Sequence, residues 1–353
     1  MGRIYETFGD NAHEMCMELL EAIDAASMAG KGTRVALKPN LVLASHAEDG
    51  AVTHPGVLSG CIEYFFAHGV KDVSVIESSW VGDKTMRAMR TAGYDKVLAT
   101  YGVEFFDLKH DDTVRVDTPI GPLSICRRAL EADFLVDLPV LKGHCQTRMT
   151  CAIKNLKGCI PDREKRRFHS MGLIRPIAAL GAALRPHLVV VDSICGDLCF
   201  EEGGTPVQTN RMYAATDAVM ADAYGCSLMG LSLDEVPYIE LAESFGAGST
   251  VWSESDIVQL RRPTAAQRYG AESRRLSSYT RGVHEDSACS ACYAALVRAL
   301  YETGRGKGQE IYIGQGWQDK QLTGLGIGRC CKGATECVMG CPPTAEAIAK
   351  HLR

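Results

Sequence analysis

One apolar run in the middle of the chain, followed at once by cationic and polar residues, constrains the fold more than any other stretch. Residues 134–141, FLVDLPVL, are predicted to form a buried strand that Pro139 ends or bends. Lys142 and His144 come directly after it. In open α/β sheets, ligands bind in the crevice beyond the carboxyl ends of the strands. We therefore expect the working centre of the protein at the end of this strand.

A short helix is expected after the polar turn. Residues at three- and four-residue spacing would share one face of that helix, and they are Thr147, Thr150, Cys151, Lys154 and Gly158. The helix N-terminus would present free N–H groups to an anion, with Lys142, His144 and Lys154 around the ligand. The alternative is that such lysines are solvated at helix ends, as we expect for Lys157.

Strands and helices alternate along most of the chain. Strands are expected at residues 34–42, 72–79, 188–197 and 256–261, and helices at residues 11–29, 57–68, 84–91, 173–184, 217–229 and 236–245. This order predicts an α/β fold with a mostly parallel sheet and crossover helices, a Rossmann-like arrangement. Residues 113–125 alternate around a Gly-Pro turn and predict a hairpin beside the sheet. The basic stretch 160–172 predicts a loop that could close over an anion.

Polar residues at the ends of other predicted strands extend the expected ligand edge. Lys38 and Asn40 flank a proline that cannot continue as an interior strand residue. Thr53 and His54 precede a proline at a helix start, so each either caps that helix or faces a ligand. Asp192 could position a lysine or a histidine. The candidate catalytic residues are Lys142, His144, Lys154 and His54, and the candidate ligand-binding residues are Lys38, Asn40, Thr53, Asn155, Glu77 and Asp192.

Three of these lysines belong to different segments that a parallel sheet would bring to one edge. They are Lys38, Lys142 and Lys154. Cations without fixed carboxylate partners repel one another, so the site is expected to recruit an anion and to be stabilised by it. Glu77 or Asp192 could offset part of that charge.

The composition limits the classes of partner. The chain has 353 residues, 46% of them hydrophobic, which suits one large α/β domain plus an appendage, or two domains. A net charge of −5 and a pI near 6.1 give no general basic footprint, so nucleic-acid binding is not expected. The first residues lack a signal-peptide core, and no apolar run approaches the roughly 20 residues of a membrane span. We expect a cytoplasmic protein without membrane contact, and a homo-oligomer is compatible with these features.

The cysteines divide the chain into two parts. Their odd number, fifteen, and their spread through predicted core segments argue against a disulfide framework and leave reduced thiols or metal ligands. We expect residues 1–270 to form the α/β domain and residues 271–353 to form a cysteine-rich module. A Cys-x-x-Cys pair and a later Cys-Pro predict a [4Fe–4S] cluster there, with zinc as the alternative. The expected ligands are Cys289, Cys292, Cys330 and Cys341, with Cys331 and Cys337 as alternatives.

Three more cysteines lie in or beside the central stretch. They are Cys145, Cys151 and Cys159. Each is either a thiol that takes part in the chemistry or a free buried cysteine that packs as a small apolar residue.

Six short segments carry the strand-end residues described above. They are LKPNLV at residues 37–42, THP at residues 53–55, VIESS at residues 75–79, LPVLKGH at residues 138–144, the KN pair at Lys154 and Asn155, and VVDSICGD at residues 190–197. Together they resemble the domain-of-unknown-function family 362 over residues 37–248. Its members often carry a cysteine-rich iron–sulfur segment, so the resemblance implies an α/β fold, a ligand site at these motifs and a cluster in the C-terminal module. A remoter similarity to the lactate racemase family implies a carboxylate or another small anionic ligand.

Three kinds of function are compatible with these features. The first is an iron–sulfur oxidoreductase or electron-transfer protein, in which lysines hold a small anionic substrate, a histidine moves a proton and a partner protein exchanges electrons. The second is an isomerase or lyase of a small carboxylate, whose cluster is structural or acts as a Lewis acid. The third is a protein that stores or delivers a cluster.

Overall fold

The computed structural model describes residues 2–197, 206–262, 280, 282–286, 288, 290–304 and 309–352. The strands are β1 (Ile4–Phe8), β2 (Arg34–Pro39), β3 (Asp72–Glu77), β4 (Glu104–Asp107), β5 (Thr113–Val116), β6 (Leu123–Cys126), β7 (Phe134–Leu138), β8 (Lys142–His144), β9 (Arg148–Thr150), β10 (Leu188–Asp197), β11 (Pro206–Ala215), β12 (Ile257–Gln259), β13 (Val283–Glu285), β14 (Ile311–Ile313), β15 (Leu322–Ile327) and β16 (Ala334–Val338). The helices are α1 (Ala12–Ala22), α2 (Ala25–Met28), α3 (Pro55–Ala67), α4 (Thr85–Thr91), α5 (Tyr94–Tyr101), α6 (Arg127–Glu131), α7 (Ala152–Asn155), α8 (Asp162–Ser170), α9 (Ile174–Ala183), α10 (Ala218–Leu228), α11 (Tyr238–Ser244), α12 (Ser290–Thr303) and α13 (Ala345–Leu352). None of the helices described is both long enough and apolar enough to span a membrane.

The main sheet has eight strands in the order β12-β1-β11-β10-β7-β2-β3-β4. Strands β10, β7, β2, β3 and β4 pair in parallel. Strand β11 runs antiparallel to both of its neighbours, β10 and β1, while β1 and β12 are parallel. The predicted α/β fold with a mostly parallel sheet is therefore confirmed. The predicted hairpin beside the sheet is also confirmed, since β5 and β6 pair with each other.

The period of two along the strands sends alternate residues to opposite faces of this sheet. On β2, for example, Ala36 packs into one buried cluster, whereas Val35 and Leu37 pack into the other. The first cluster includes apolar residues of α7, α9, α10 and α11, and the second includes those of α1, α3, α4 and α5. Covering both faces buries whole strands, such as β7, where every residue is buried and all but Asp137 are apolar. The carboxyl ends of β2, β3 and β7 then meet at one edge.

The C-terminal part of the chain forms a second, smaller sheet. Its strands have the order β13-β14-β15-β16, and each neighbouring pair is parallel. Helices α12 and α13 pack on it through a separate apolar cluster that includes Leu296, Ile313 and Ile348. The domain boundary expected near residue 270 lies outside the described residues.

Three local predictions are wrong. Residues 142–150 form the β8–β9 hairpin rather than the start of a helix, and only α7 and a 3₁₀ turn at Leu156–Cys159 follow it. The basic stretch expected to be a loop forms α8. The long helix expected at residues 11–29 is two helices, because Asp24 takes a left-handed conformation with φ of 55° between α1 and α2.

Candidate functional site

A cleft opens beyond the carboxyl ends of β2 and β3. Its volume, including the part open to solvent, is about 800 Å³. Asn40 follows β2, and Glu77 and Ser78 lie at the end of β3. The hairpin, α7, the turn after it and α8 contribute four lysines and a histidine: Lys142, Lys154, Lys157, Lys165 and His169. The loops after β2 and β3 contribute an apolar part of the lining: Val42, Leu43, Trp80 and Val81.

The β8–β9 hairpin places Lys142 in the cleft. Lys142 begins β8 and pairs with Thr150 at the end of β9, and both residues line the cleft. The Lys142 ammonium group donates a hydrogen bond of 2.5 Å to the carbonyl oxygen of Ala51. Just before the hairpin, the N–H of Leu141 donates to the carbonyl oxygen of Asp192 on β10. The base of the hairpin is therefore tied to the main sheet, which fixes the position of Lys142.

Helix α7 carries two further polar residues of the cleft, Lys154 and Asn155. Its first two N–H groups donate to the carboxylate of Asp222 on α10, at 2.6 and 3.3 Å. A buried side chain thus satisfies N–H groups that a helix start leaves without intrahelical partners. Burial raises the pKa of Asp222 to about 7. The Lys154 ammonium donates to Thr150 Oγ1 at 2.9 Å, which joins α7 to the hairpin.

A buried ion pair connects the ends of β2 and β3 beside the cleft. Lys38 Nζ lies 2.6 Å from Glu77 Oε2, and both side chains are almost completely buried. Burial alone would lower the pKa of Lys38, but attraction to Glu77 and other neighbouring groups outweighs it, so the pKa is raised. The expectation that Lys38 has no fixed carboxylate partner is therefore wrong. Glu77 lines the cleft, and Lys38 neutralises it from within the protein.

A second acidic residue lies close to this pair. Asp137, on β7, is completely buried, and its Oδ1 accepts a hydrogen bond of 2.8 Å from the Asn155 amide. Burial raises the pKa of Asp137 to about 8, although the charge of Lys38 acts in the opposite direction. The raised pKa favours the protonated form of Asp137 at neutral pH, while Asn155 links β7 to the cleft.

Lys165 is a cleft residue that was not an individual candidate, although it lies in the basic stretch expected to close over an anion. It lies on α8, is buried, and donates to Ser78 O, Ser78 Oγ and Ser79 O at 2.9, 2.7 and 2.6 Å. Burial lowers the pKa of Lys165 to about 8, against the attraction of Glu77 and Asp162. Acidic residues in the first turn of this segment and basic residues in its last turn are a signal that could have revealed the helix.

The part of the chain that forms this fold and site matches a known protein family. Residues 35–227, more than half of the chain, match the family described as Domain of unknown function (DUF362). The chain belongs to this family. A curated relative, Thylakoid-associated protein sll1697 of Synechocystis sp., is 24% identical over 230 residues, which are 62% of this chain and 70% of the relative.

Two solved structures are similar to this DUF362 chain. The lactate racemase apoprotein of Thermoanaerobacterium thermosaccharolyticum has a TM-score of 0.43 and 16% identity, and the match covers 64% of this chain and 56% of that one. A Thermotoga maritima protein, a structural genomics target, has a TM-score of 0.39 and 13% identity, and the match covers 67% and 60% of the two chains. This chain thus spans less than two thirds of either structure.

The remaining candidate residues of the DUF362 region support the backbone around the cleft and do not line it. His54 caps α3, since its Nδ1 accepts from the N–H of Gly56 at 2.9 Å. Thr53 Oγ1 donates to the carbonyl oxygen of Leu138 at 2.6 Å. Asp192 accepts from the N–H of His54 at 2.8 Å, and burial raises its pKa.

His144 is the last residue of β8, directly before the turn of the hairpin, and is almost completely buried. Its Nδ1 accepts hydrogen bonds from the N–H groups of Gln146 and Thr147, at 3.0 and 3.1 Å. A neutral ring with that arrangement carries its proton on Nε2. His144 thus shapes the turn, and His169 is the histidine that lines the cleft. Lys157, expected to be solvated, also lines it and is half-buried.

The cysteines of the central stretch are buried. Cys145, Cys151 and Cys159 carry free thiols, and burial raises the pKa values of Cys151 and Cys159 well above the usual range. Thiols of this kind stay protonated and are poor nucleophiles. Of the two alternatives, Cys151 and Cys159 therefore fit the buried cysteine that packs as a small apolar residue.

The C-terminal module of this DUF362 chain carries three of the four expected cluster ligands within the described residues. Cys292 lies on α12, Cys330 in the turn after β15, and Cys341 after β16, while Cys289 lies outside the described residues. The N–H of Arg329 donates to the carbonyl oxygen of Gly340, so the residues that precede Cys330 and Cys341 are in contact. Within the described residues, no three His, Cys, Asp or Glu side chains form a group that could hold a metal ion.

Proposed function

We propose that the cleft binds a small organic anion and that the protein is an enzyme that moves a proton on this ligand. The observation that carries the proposal is the convergence of lysines from three separate segments on one cleft at the carboxyl edge of a parallel sheet. Lys142 comes from the hairpin, Lys154 from α7 and Lys165 from α8. Among the described residues of the lining, Glu77 is the carboxylate, and it forms an ion pair with Lys38.

Lysines and amides in such a cleft suit a carboxylate or phosphate group. Ammonium groups attract the anion, and Asn40 and Asn155 can donate hydrogen bonds that orient it. Water is partly excluded, so each of these interactions is stronger than in bulk solvent. The same ammonium groups would stabilise the additional negative charge that develops when a proton leaves the ligand.

His169 is the proposed proton acceptor. It lines the same cleft as the lysines and belongs to α8, the helix that also carries Lys165. In the proposed step, the imidazole takes a proton from a carbon beside a carbonyl or carboxyl group, lysines stabilise the enolate, and the proton is returned. No electrons leave or enter and no group is expelled, so the proposed step is that of an isomerase.

Anion binding is tested by thermal unfolding with phosphate, sulfate and acetate at fixed ionic strength. One class of anion should stabilise the wild type, since a ligand at about 100 times its Kd contributes roughly 2.7 kcal/mol. Lys142→Ala and Lys154→Ala should lose this response. Lys71→Ala is the control, because Lys71 is exposed before the amino end of β3, away from the cleft. Equal responses in all four proteins would contradict the proposal.

Proton transfer is tested with malate and 2-oxobutyrate in D2O. These acids carry a C–H group beside a carboxyl or carbonyl carbon. The wild type should introduce deuterium at that carbon, as NMR measures, and His169→Gln should abolish the exchange while the anion response remains. Exchange that persists in His169→Gln would exclude His169 as the proton acceptor.

A second proposal, an iron–sulfur redox protein, is supported by the contact between the C-terminal module and the hairpin that carries Lys142. Cys145, at the end of this hairpin, packs in the same buried cluster as Tyr293 of α12. The Gln146 amide donates to the carbonyl oxygen of Ala288. An iron–sulfur cluster supplies one-electron transfer, and the cysteines proposed to hold it are Cys289, Cys292, Cys330 and Cys341.

Anaerobic purification followed by iron and sulfide analysis tests the cluster proposal. About four iron and four sulfide ions per chain are expected for a single [4Fe–4S] cluster. Zinc without iron would contradict it. Transfer of an intact cluster to an apo-ferredoxin would favour a carrier role over a redox enzyme.

A further inference from the structure

The apolar part of the cleft lining is built around Trp80, in the loop after β3. The loop holds the backbone of Trp80 from both sides. The Trp80 N–H donates to the carbonyl oxygen of Val42 at 2.9 Å. The Trp80 carbonyl oxygen accepts from Lys109 Nζ at 2.9 Å and from the N–H of Asp83 at 3.1 Å. Lys109 also donates to the carbonyl oxygen of Asp83 at 2.6 Å, which closes the loop. The backbone that carries the indole ring is therefore fixed before any ligand binds.

Gly82 allows the ring to lie where it does. A Cβ atom at Gly82 would come within 2.2 Å of the far edge of the Trp80 ring, which is far closer than atoms can approach. The ring thus packs across the glycine backbone and remains half-buried, with part of its surface at the cleft. Val42 and Leu43 extend the same apolar surface from the loop after β2.

A fully hydrophilic ion such as phosphate would use the lysines and leave this surface in contact with water. A ligand with an apolar body would remove both apolar surfaces from water, at roughly 25 cal/mol per Å². A flat ring gains further stabilisation, because offset or edge-to-face contact between aromatic rings is favourable beyond the area that is buried. The cleft is partly open to solvent, so a ring that lies against Trp80 need not be fully enclosed.

We propose that the ligand of the cleft is an organic anion whose carboxylate or phosphate group is attached to a flat, apolar ring system. The charged group lies among the lysines, and the ring lies against Trp80. This inference rests on the proposed function, because it takes the cleft to be an anion site and adds the class of anion. Trp80 is then the residue that determines specificity.

Matched pairs of probes test this inference by calorimetry. Benzoate is compared with acetate, and phenyl phosphate with inorganic phosphate, so that each pair differs only by the ring. The wild type should bind the aryl member at least about tenfold more tightly, a ratio that corresponds to about 1.4 kcal/mol. In Trp80→Leu the ratio should fall to about threefold or less, while acetate and phosphate bind as in the wild type.

Two further variants separate the ring contact from general damage. Trp252→Phe is the control, because Trp252 packs edge-on against Tyr224 and does not line the cleft. It should keep the wild-type ratio. Gly82→Ala forces the Trp80 ring to move without removing it, so the ratio should fall as it does in Trp80→Leu.

The outcomes distinguish this inference from the proposed function. Anions that bind with no preference for the aryl member, or a preference that survives in both Trp80→Leu and Gly82→Ala, would overturn the ring-binding inference and leave anion binding intact. If none of the four probes binds to the wild type, both the inference and the proposed anion site are wrong.

Discussion

The residues around Glu77 depend on the absence of a side chain at Gly158. A Cβ atom at Gly158 would lie 1.7 Å from Glu77 Oε1. The carbonyl oxygen of Gly158 accepts a hydrogen bond from Ser78 Oγ at 2.7 Å. Close approach of the backbone is what positions the carboxylate for Lys38. The sequence indicated Gly158 only as one residue of a helix face, because the contact joins segments that are 80 residues apart along the chain.

Gly158→Ala should therefore destabilise the protein. The methyl group displaces the Glu77 carboxylate from its buried partner Lys38, and we expect a loss of about 2 kcal/mol or more in the free energy of unfolding. Urea unfolding measures this. Gly32→Ala is the matched control, since Gly32 is exposed with no atom within 4 Å of an added Cβ, and should change stability by less than about 0.5 kcal/mol. A neutral Gly158→Ala would contradict the described packing.

Asp137 makes stability depend on pH. Its pKa is about 8 in the folded protein, because of burial, and near 3.9 in an unfolded chain. The folded state therefore binds the extra proton between these values, and stability falls as pH rises from about 4 through about 8.

Asp137→Asn should remove this part of the pH dependence. The free energy of unfolding of the variant, minus that of the wild type, should rise by at least about 1 kcal/mol between pH 5 and pH 8, as measured by urea unfolding at each pH. Asp10→Asn, a change at an exposed position, should follow the wild-type curve. A slope that remains below about pH 7 in Asp137→Asn is expected from Asp222, whose pKa is about 7. Parallel curves for Asp137→Asn and the wild type would show that Asp137 is ionised in the folded protein.

Residue types at strand ends could be predicted from the sequence, but their partners could not. The structure brings Asn40, Glu77, Lys142, Lys154 and Asn155 to one cleft, as parallel strands would. The pairing of Lys38 with Glu77 required β2 to lie directly beside β3, and strand order is not written in the periodicity of either segment.

At the scale of elements, the central hairpin was hidden by a coincidence of spacing. Thr147 and Thr150 fit a helical period, yet Arg148 takes a left-handed conformation with φ of 65°, and the His144 side chain accepts two backbone N–H groups in the turn. A hydrogen bond from the backbone to a side chain competes with helix formation. Hydrophobic periodicity, which found the neighbouring helices, does not register such a contact.

Helix α7 depends on a side chain from another element. It has only four residues, too few to be stable alone, and Asp222 accepts its first two N–H groups. Asp222→Ala would leave these buried N–H groups without their acceptor and should cost about 2 kcal/mol or more. Asp222→Asn keeps an acceptor oxygen and should cost less.

Hydrogen exchange at the amides of α7 distinguishes a local from a general effect. Relative to the wild type, the Asp222→Ala protein should show a larger increase in exchange rate at Lys154 and Asn155 than at the amides of β7. The stabilisation by anions should also weaken. If exchange rises equally in both elements, Asp222 supports the core as a whole and does not position Lys154.

For the whole molecule, the alternation of strands and helices was sufficient to predict the fold class. It was not sufficient for strand order, nor for the reversal at β11, because antiparallel insertion depends on how β10 and β11 pair across the sheet. The second sheet was not predicted as a sheet, since β13, β14 and β16 have only three to five residues each. Short strands carry little periodic signal.

The cysteines of the two parts of the molecule should respond differently to replacement. Cys292, Cys330 and Cys341 belong to the small-sheet module, whereas Cys16 and Cys61 lie 3.3 Å apart, buried between α1 and α3. If the proposed [4Fe–4S] cluster is bound, anaerobically purified Cys289→Ala and Cys292→Ala proteins should lose its iron, sulfide and brown colour, because each replacement removes one proposed thiolate ligand. Cys61→Ala should keep all three, since a buried thiol in an apolar cluster packs as a small hydrophobic side chain.

Circular dichroism shows whether each variant is folded. Iron that persists in both Cys289→Ala and Cys292→Ala would mean that the ligand set is wrong, and iron that is lost in Cys61→Ala as well would mean that the loss reflects unfolding of the α/β domain.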